Sequence, residues 1–301
     1  MMYKRKAIVA GSFYDMDKES LLKQLKNCFL HEIGPQKIPK FNKISLKRER
    51  NIMSVISPHA GYVFSGPVAA HHFLELSKEE TPETIIIIGP NHRGFGADIA
   101  IMDKGYWETP LGIIEIDEKI AADIIKNDNK HIIQVNTKAH QYEHSIEVQL
   151  PFLQYIYFSD SFKILPICIA NQDYETIKEL SNIIYKSTLN NSILLIASTD
   201  FTHYENQEAV SRKDSEYIND ILNMDTDMFY KTIMQNNASV CGYGAIGIVM
   251  EYSKKINTCK GKLLKYATSG DVSGITDQVV GYASIVFEKE FSGEKIQKSE
   301  I

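Results

Sequence analysis

The sequence predicts an α/β fold, a single-domain sandwich in which helices cover a largely parallel or mixed central sheet. This prediction rests on continuous apolar runs. A strand that is buried on both faces is apolar throughout, whereas a strand with one face in solvent alternates apolar and polar residues. Helical patterns separate these runs, and strand–helix alternation is typical of a largely parallel sheet. The apolar runs are IMSVIS (52–57), TIIIIG (84–89), FKILPICI (162–169) and SILLIAS (192–198).

The remaining elements follow from the same patterns. The segment KAIVAGSF (6–13) predicts a first strand, and a helix is expected after Asp17, which is a good N-cap residue. The segments GKLLKYATSG (261–270) and VVGYASIVFEKE (279–290) predict two closing strands, expected to be antiparallel. Helical spacing predicts four further helices, over residues 67–77, 117–127, 143–157 and 174–187.

The composition is that of a globular protein, with 44% hydrophobic and 24% charged residues among 301. We expect residues 1–290 to form one domain and residues 291–301 a polar tail. A formal net charge of −5 offers nucleic acid no basic surface, so the expected partner is a small molecule or a peptide. The sequence shows neither a membrane span nor a signal peptide, and its four scattered cysteines make no disulfide framework. We therefore expect a reduced, cytoplasmic protein that binds neither nucleic acid nor membrane.

Three of the four apolar runs end in a histidine. His59 follows the first run, His92 follows the second, and Asp200 and His203 follow the fourth. A loop histidine alone is more often a surface residue than a ligand, but ligands of open α/β sheets bind beyond the carboxyl ends of the strands. Convergence at one sheet edge is therefore favoured over coincidence. His59 and His92 are natural metal ligands, while the Asp200 carboxylate would orient His203 or raise its basicity.

A second cluster lies in HSIEVQLPF (144–152). His144 and Glu147 are three residues apart and would share a face of the predicted helix. Two interpretations stay open: the pair supports the site or contacts a substrate, or it is an ordinary pair on a helix surface. The spacing does not match the H-E-x-x-H arrangement of zinc proteases, so that class is not predicted.

Cys241 lies in the glycine-rich stretch SVCGYGAIG (239–247), just before a helical pattern. It would act as a nucleophile if His203 and Asp200 served as base and orienting group. It would complete a ligand set with the strand-end histidines if it were a thiolate. It would simply pack if it were structural, which is the commonest role of a cysteine. A position near a helix N-terminus favours a thiolate, and so helps both functional interpretations.

Nine motifs in order resemble the Memo family. They run from residue 10 to about residue 287, which is nearly the whole chain, and together they are far more specific than any one alone. The motifs are AGSFY, SPHAGYVFSG, GPNHRG, ETPLG, HSIEVQLPF, STDFTHY, CGYGAI, TSGD and VGYAS. The resemblance implies the fold of class III extradiol dioxygenases of the LigB type. It also implies functional association with radical-SAM and AMMECR-type proteins, near which prokaryotic relatives are often encoded.

The resemblance also implies roles for individual residues. LigB-type dioxygenases hold a non-haem ferrous ion with two histidines and a carboxylate, and use another histidine as acid/base. His59 and His92 match the two ligands, His203 matches the acid/base, and Asp200 matches the acidic residue before it. Cys241 stands where the dioxygenases carry the carboxylate ligand. In Memo-type proteins, such a set is associated with iron or copper binding and redox activity.

Three functions follow as alternatives. The first is a non-haem iron or copper protein with redox or oxygenase-like activity on an unknown substrate, although a thiolate in place of the carboxylate softens the metal site. The second is a non-enzymatic module that binds a protein or peptide in the same pocket. The third is a cysteine hydrolase built from Cys241, His203 and Asp200. Phe13 and Phe64 are expected near the site, at positions where other family members can carry Trp or Tyr, and Phe64 lacks the hydroxyl of a tyrosine.

Overall fold

Twelve strands are found in a computed structural model, which describes residues 3–39, 50–256 and 258–289. They are β1 (Lys4–Arg5), β2 (Ile52–Ser57), β3 (Thr84–Pro90), β4 (Ile99–Ile101), β5 (Tyr106–Thr109), β6 (Gly112–Glu115), β7 (Gln134–Val135), β8 (Lys163–Ile169), β9 (Ile193–Ser198), β10 (His203–Glu205), β11 (Thr258–Thr268) and β12 (Val279–Lys289). Strands β1, β5 and β6 form a small separate sheet, and the other nine form the central sheet.

The helices of the described residues lie mainly between these strands. They are α1 (Lys18–Leu30), α2 (Tyr62–Leu76), α3 (Glu118–Asn127), α4 (Lys138–Gln141), α5 (Leu150–Ile156), α6 (Tyr174–Thr188), α7 (Gln207–Leu222), α8 (Thr226–Gln235), α9 (Tyr243–Lys255) and α10 (Ser269–Ser273). A short 3₁₀-helix, Glu147–Gln149, precedes α5. Side chains of Asp17, Asp117, Asp173, Asn206 and Asp225 accept backbone N–H bonds at the starts of five helices, as good N-caps do.

The central sheet is mixed, with a parallel centre. Strands β2, β9, β3 and β8 are parallel neighbours in that order, while β12 pairs antiparallel with β2 and β4 pairs antiparallel with β8. Every residue of β3 and β9 is buried, which requires cover on both faces of the sheet. Helix α9 packs on β9 and β2, and helix α2 packs on β12 and β2. The predicted α/β sandwich with a mixed central sheet is therefore confirmed.

The four apolar runs are strands at the predicted places, and the two closing strands are antiparallel as expected. The helix predicted over residues 67–77 begins five residues before its predicted start, at Tyr62. Pro67 lies inside this helix and not at its start. A proline there removes only the hydrogen bond to the carbonyl of Val63, an exposed residue in the first turn of the helix. The predicted polar tail, residues 291–301, lies outside the described residues. No helix in the described ranges is long and apolar enough to cross a membrane.

Two predictions near the N-terminus and near residue 143 were wrong for a shared reason. Residues 6–13 do not form a strand, because the buried carboxylate of Glu147 accepts the backbone N–H groups of Ile8 and Val9. The predicted helix over 143–157 is delayed to Glu147, because the Glu143 carboxylate accepts the N–H groups of the next two residues. His144 and Glu147 therefore do not share a helix face.

Candidate metal centre

Three imidazoles converge at the carboxyl edge of the sheet. His59 lies two residues beyond β2, His92 lies two residues beyond β3, and His144 comes from the loop before the 3₁₀-helix. One ring nitrogen from each lies within 4.8 Å of the others, a spacing that allows a single metal ion between them. The sequence pattern predicted His59 and His92 for this place, and the structure adds His144 to them.

The rings are arranged around an opening to solvent. His92 and His144 stack, with centroids 4.7 Å apart and planes 22° apart. The His59 ring stands nearly perpendicular to both, at centroid distances of 5.2 and 5.4 Å. His59 is buried, His144 is half-buried, and His92 is the most exposed. The cluster is therefore open on the His92 side, where a substrate or small ligand can enter.

The carboxylate of Glu143 organises two of the three imidazoles. It accepts hydrogen bonds from His92 Nδ1 at 2.9 Å, from the backbone N of His92 at 2.6 Å, and from the backbone N of His144 at 2.9 Å. Burial raises the pKa of this carboxyl, but the hydrogen bond with His92 and the charges of His92 and His144 bring it down to about 2. An ionised Glu143 holds a proton of His92 on Nδ1, so Nε2 is the ring nitrogen that His92 can offer to the site.

A hydroxyl network fixes the tautomer of His59. The single hydroxyl proton of Ser198 is donated to the carbonyl of Ser145 at 2.6 Å, and the Ser198 oxygen accepts a hydrogen bond from Gln149 Nε2 at 2.8 Å. The remaining lone pair of Ser198 lies 3.0 Å from His59 Nδ1, which must therefore carry the proton. The Nε2 atom of His59 is left with its lone pair directed toward the cluster.

The environment keeps two of these rings uncharged. Burial, followed by the neighbouring histidines, lowers the pKa of His59 well below its ordinary value. Burial also lowers the pKa of His144 to about 4, against the opposing effect of the Glu143 charge. Because a metal binds the neutral form of imidazole, these rings present their lone pairs at neutral pH without first losing a proton.

Cys241 lies against this cluster at the start of α9. Its Sγ is 3.3 Å from His59 Nε2 and accepts a hydrogen bond from the backbone N of Asp200 at 3.2 Å. Since His59 Nε2 carries no proton, the thiol donates to it. Burial and the charge of Asp200 raise the pKa of the Cys241 thiol to about 12. The predicted position next to a helix start is confirmed. The raised pKa favours the thiol over the expected thiolate in the metal-free protein.

Two side chains fix the backbone around Cys241. Gln172 donates from Nε2 to the carbonyl of Cys241 at 2.9 Å and accepts from the backbone N of Gly244 at 2.7 Å. Thr199 Oγ1 accepts from the backbone N of Gly242 at 2.9 Å, and a Cβ built on Gly242 would lie only 2.7 Å from the Thr199 side chain. Glycine is therefore required after Cys241, because no side chain fits between the loop and Thr199.

Asp200 and His203 are placed differently from one another. The Asp200 carboxylate accepts from the backbone N of His59 at 2.7 Å, so it fixes the loop that carries His59. His203 Nδ1 lies 2.8 Å from the carbonyl of Ser239, which can only accept, so His203 carries its proton on Nδ1. The ring of His203 is thus oriented by Ser239 rather than by Asp200. Burial raises the pKa of the Asp200 carboxyl, and electrostatic interaction with His203 opposes this rise.

The arrangement required of a cysteine hydrolase is not formed. Within the described ranges, the imidazole that contacts the Cys241 sulfur is His59, and His203 makes no hydrogen bond with it. The raised pKa of the thiol also opposes a nucleophilic role.

Of the other predicted site residues, Phe13 contacts the imidazole cluster, whereas Phe64 and Glu147 have other surroundings. The Phe13 ring lies 4.7 Å from the ring of His144, so it touches the site. Phe64 is a partly exposed residue in the first turn of α2. Glu147 is buried and pairs with Arg5 at 2.5 Å, and its carboxylate also accepts the Tyr14 hydroxyl at 2.6 Å. Glu147 therefore anchors the N-terminal segment and does not face the imidazoles.

Sequence reasoning missed three residues that position the imidazoles. They are Glu143, Ser198 and Gln149. Glu143 was visible as the acidic neighbour of His144, and Ser198 as the last residue of an apolar strand. Their partners, however, lie 51 and 139 residues away in the chain, and spacing alone does not reveal such contacts.

Comparison with known proteins identifies the family of this chain. The family model described as Memo-like protein matches residues 5–286. A MEMO1 family protein of Methanopyrus kandleri is 44% identical over 287 residues, covering 95% of this chain and 99% of the relative. A MEMO1 family protein of Nitrosopumilus maritimus is 41% identical over 283 residues, covering 94% and 99%.

A solved structure supports the fold alone. The crystal structure of an uncharacterized protein from Escherichia coli K12 superposes with a TM-score of 0.52 at 11% identity, covering 78% of this chain and 99% of that one. This agrees with the α/β fold that the sequence patterns predict. The family match spans most of the chain, and the MEMO1 family proteins are similar over almost their full length. The chain therefore belongs to the Memo family.

Proposed function

We propose that this protein holds one iron(II) or copper ion through His59, His92 and His144, with Cys241 as a fourth ligand, and has redox or oxygenase-like activity on a small molecule. The observation that carries the proposal is the convergence of three ring nitrogens within 4.8 Å. The hydrogen bonds of Ser198 and Glu143 leave Nε2 of His59 and of His92 as the ring nitrogens that can bind a metal.

The donor set fits a first-row transition metal. Imidazole suits iron, copper and zinc, while a nearby sulfur adds affinity for the softer ions. Calcium and magnesium prefer oxygen ligands, and the cluster offers none among its three converging side chains. The hydrogen bonds from ligating histidines to a carboxylate and a hydroxyl are also the support that metal-binding imidazoles commonly receive.

The protein's own residues would bind the substrate and handle protons around this centre. A bound metal would supply a Lewis-acid or redox centre for an oxygen-containing ligand. His203, with its proton held on Nδ1, has a free Nε2 that can accept a proton from a substrate or return it. The buried side of the cluster excludes water around His59, while the exposed side admits the substrate at His92.

A binding module is the second candidate, supported by one observation. The rings of Phe95 and Tyr142 are exposed and lie 6.4 Å apart, on the two loops that carry His92 and His144. Exposed aromatic pairs of this kind suit an apolar side chain of a peptide or protein. Association with radical-SAM and AMMECR-type proteins and a cytoplasmic location remain predictions from the family resemblance and the composition.

Anaerobic titration with Fe(II) and Cu(I), followed by elemental analysis, tests the proposal. We expect about one metal ion per chain, and a loss of affinity of roughly 100-fold or more in His92→Ala, because a ligand is removed. His131→Asn is the matched control, since His131 is an exposed histidine with φ 54° that asparagine tolerates. If the wild type binds neither ion, the metal proposal fails. If binding of an isolated partner protein survives alanine at both His59 and His92, a module that uses this pocket is excluded.

A further inference from the structure

We propose that Arg93 is an anion subsite at the mouth of the imidazole cluster, and that the ligand of this centre carries an oxyanion, a carboxylate or a phosphate. This inference rests on the proposed function, because it places the oxyanion beside the metal position. It goes further in naming the chemical class of the ligand and the side chain that recognises it.

The backbone of Arg93 is held firmly beside the cluster. Arg93 directly follows His92, whose backbone N is bound to the Glu143 carboxylate at 2.6 Å. The loop closes on itself, since Asn91 accepts from the backbone N of Gly94 at 2.9 Å and donates to the carbonyl of Phe95 at 2.8 Å. The position of Arg93 relative to His92 is therefore fixed by local hydrogen bonds.

The guanidinium of Arg93 is also directed. Its Nε donates to the carbonyl of Tyr142 at 3.2 Å, so the side chain spans the two loops that carry His92 and His144. The positive charge of Arg93 contributes to the lowered pKa of His144. Arg93 thus lies along the open side of the cluster, where the exposed His92 marks the entrance.

The terminal nitrogens of this exposed guanidinium have no acidic partner. Across the described ranges, Arg93 forms no ion pair, and the nearby Glu143 carboxylate is occupied by N–H groups of His92, His144 and Ser145. The buried Arg5 offers a contrast, because its guanidinium is used by Glu147 and by backbone carbonyls. Arg5 is therefore structural, whereas the two terminal guanidinium nitrogens of Arg93 can donate hydrogen bonds to a ligand.

The chemistry of the guanidinium selects the ligand class. A guanidinium presents two parallel N–H groups that match the two oxygens of a carboxylate or phosphate. A metal ion in the cluster would add positive charge on the other side of the entrance. A molecule with an oxyanion on Arg93 and a second oxygen directed at the imidazoles would bridge the two charges, and a neutral analogue would gain neither contact.

Calorimetric titration with malonate, inorganic phosphate and neutral malonamide tests this inference. Both the metal-free and the Co(II)-loaded protein are titrated, and the visible spectrum of Co(II) reports ligands that reach the metal. We expect the loaded wild type to bind malonate or phosphate at least about tenfold more tightly than Arg93→Gln does, and to bind malonamide negligibly. The preferred anion decides between a carboxylate and a phosphate ligand. Arg212→Gln is the control, because Arg212 is an exposed arginine on α7.

Metal affinity separates the two proposals. Arg93→Gln should bind Co(II) as the wild type does, since Arg93 is not a ligand. Equal anion affinity in the wild type and Arg93→Gln, or no anion binding by the loaded wild type, would overturn the subsite. A wild type that takes up no metal overturns the proposed function instead. In that case, the anion affinities of the metal-free proteins still show whether Arg93 binds oxyanions.

Discussion

Glu143 Oε1 accepts a hydrogen bond from His92 Nδ1 at 2.9 Å, while Glu143 Oε2 accepts one from the backbone N of the same histidine at 2.6 Å. One carboxylate thereby fixes both the loop and the ring of His92. It also binds the backbone N of His144, so that two of the three converging imidazoles depend on it.

Replacing this carboxylate should weaken the metal centre without removing a ligand. Glu143→Gln keeps the size of the side chain but loses the charge that holds the proton of His92 on Nδ1. We expect metal affinity to fall by roughly 10–100-fold, as is typical when the partner of a ligating histidine is changed. Competition with a chromophoric chelator measures the change. Glu115→Gln, at an exposed position of strand β6, should leave the affinity unaltered, and equal affinities in both variants would contradict the role given to Glu143.

Ser198 should control which nitrogen of His59 carries its proton. In Ser198→Ala, the acceptor for the Nδ1 proton is gone, so the Nε2 tautomer becomes populated and the lone pair facing the cluster is partly lost. Nitrogen-15 NMR of the histidine rings should show a protonated Nε2 on His59 in this variant but not in the wild type. Metal affinity should fall by about tenfold. Ser215→Ala, on the exposed face of α7, provides the control. An unchanged His59 spectrum in Ser198→Ala would remove Ser198 from the site.

Elements and site residues could be predicted from the sequence where contacts between residues close in the chain determine them. Strands β2, β3, β8 and β9 were predictable, because burial on both faces makes each one a continuous apolar run. His59 and His92 were predictable because they directly follow such strands, and parallel strands end at one edge of the sheet.

The parts that were not predictable depend on partners far apart in the chain. Residues 6–13 have the apolar pattern of a strand, but Glu147 takes the N–H groups of Ile8 and Val9 that a neighbouring strand would have bound. His144 looked like a helix residue because the turn made by the Glu143 carboxylate leaves no periodic signal. Local pattern predicts elements well, whereas a buried carboxylate can redirect the backbone against that pattern.

The Arg5–Glu147 pair should be essential for stability. Both side chains are almost completely buried, at 2% and 0% exposure, and the Arg5 guanidinium also lies 4.0 Å from the Trp107 ring centre. Arg5→Met leaves the Glu147 carboxylate without its cation, so we expect a loss of about 3–5 kcal/mol in the free energy of unfolding. Lys4→Met removes the exposed pair with Glu108 and should cost less than about 1 kcal/mol.

Urea unfolding of four proteins measures this difference. They are the wild type, Arg5→Met, Glu147→Gln and the double variant. Since the two side chains are in contact, the double variant should lose less stability than the sum of the single variants. Additive losses would show that the pair is not coupled, and that each residue acts only through its own backbone contacts.

Cys241 should make metal binding depend on pH. The pKa of its thiol is raised to about 12 in the metal-free protein, so the sulfur is protonated throughout the neutral range. The pKa values of His59 and His144 are lowered, the latter to about 4, so these rings carry no proton that must leave. Coordination by the sulfur must release the thiol proton, and affinity therefore rises with pH, by about tenfold per unit between roughly pH 6 and 8.

Calorimetry in buffers of different ionisation enthalpy counts this proton directly. Cys241→Ser should release about one proton fewer per metal bound near pH 7 than the wild type does, and its affinity should depend less on pH. Cys241→Ala is the second variant, since it removes the sulfur without introducing a hydroxyl. No variant of Cys168 is used as a control, because Cys168 is buried within β8 and its loss would disturb the core. If the wild type and Cys241→Ala release the same number of protons, the sulfur remains a thiol beside the metal, and the three imidazoles are the protein's complete ligand set.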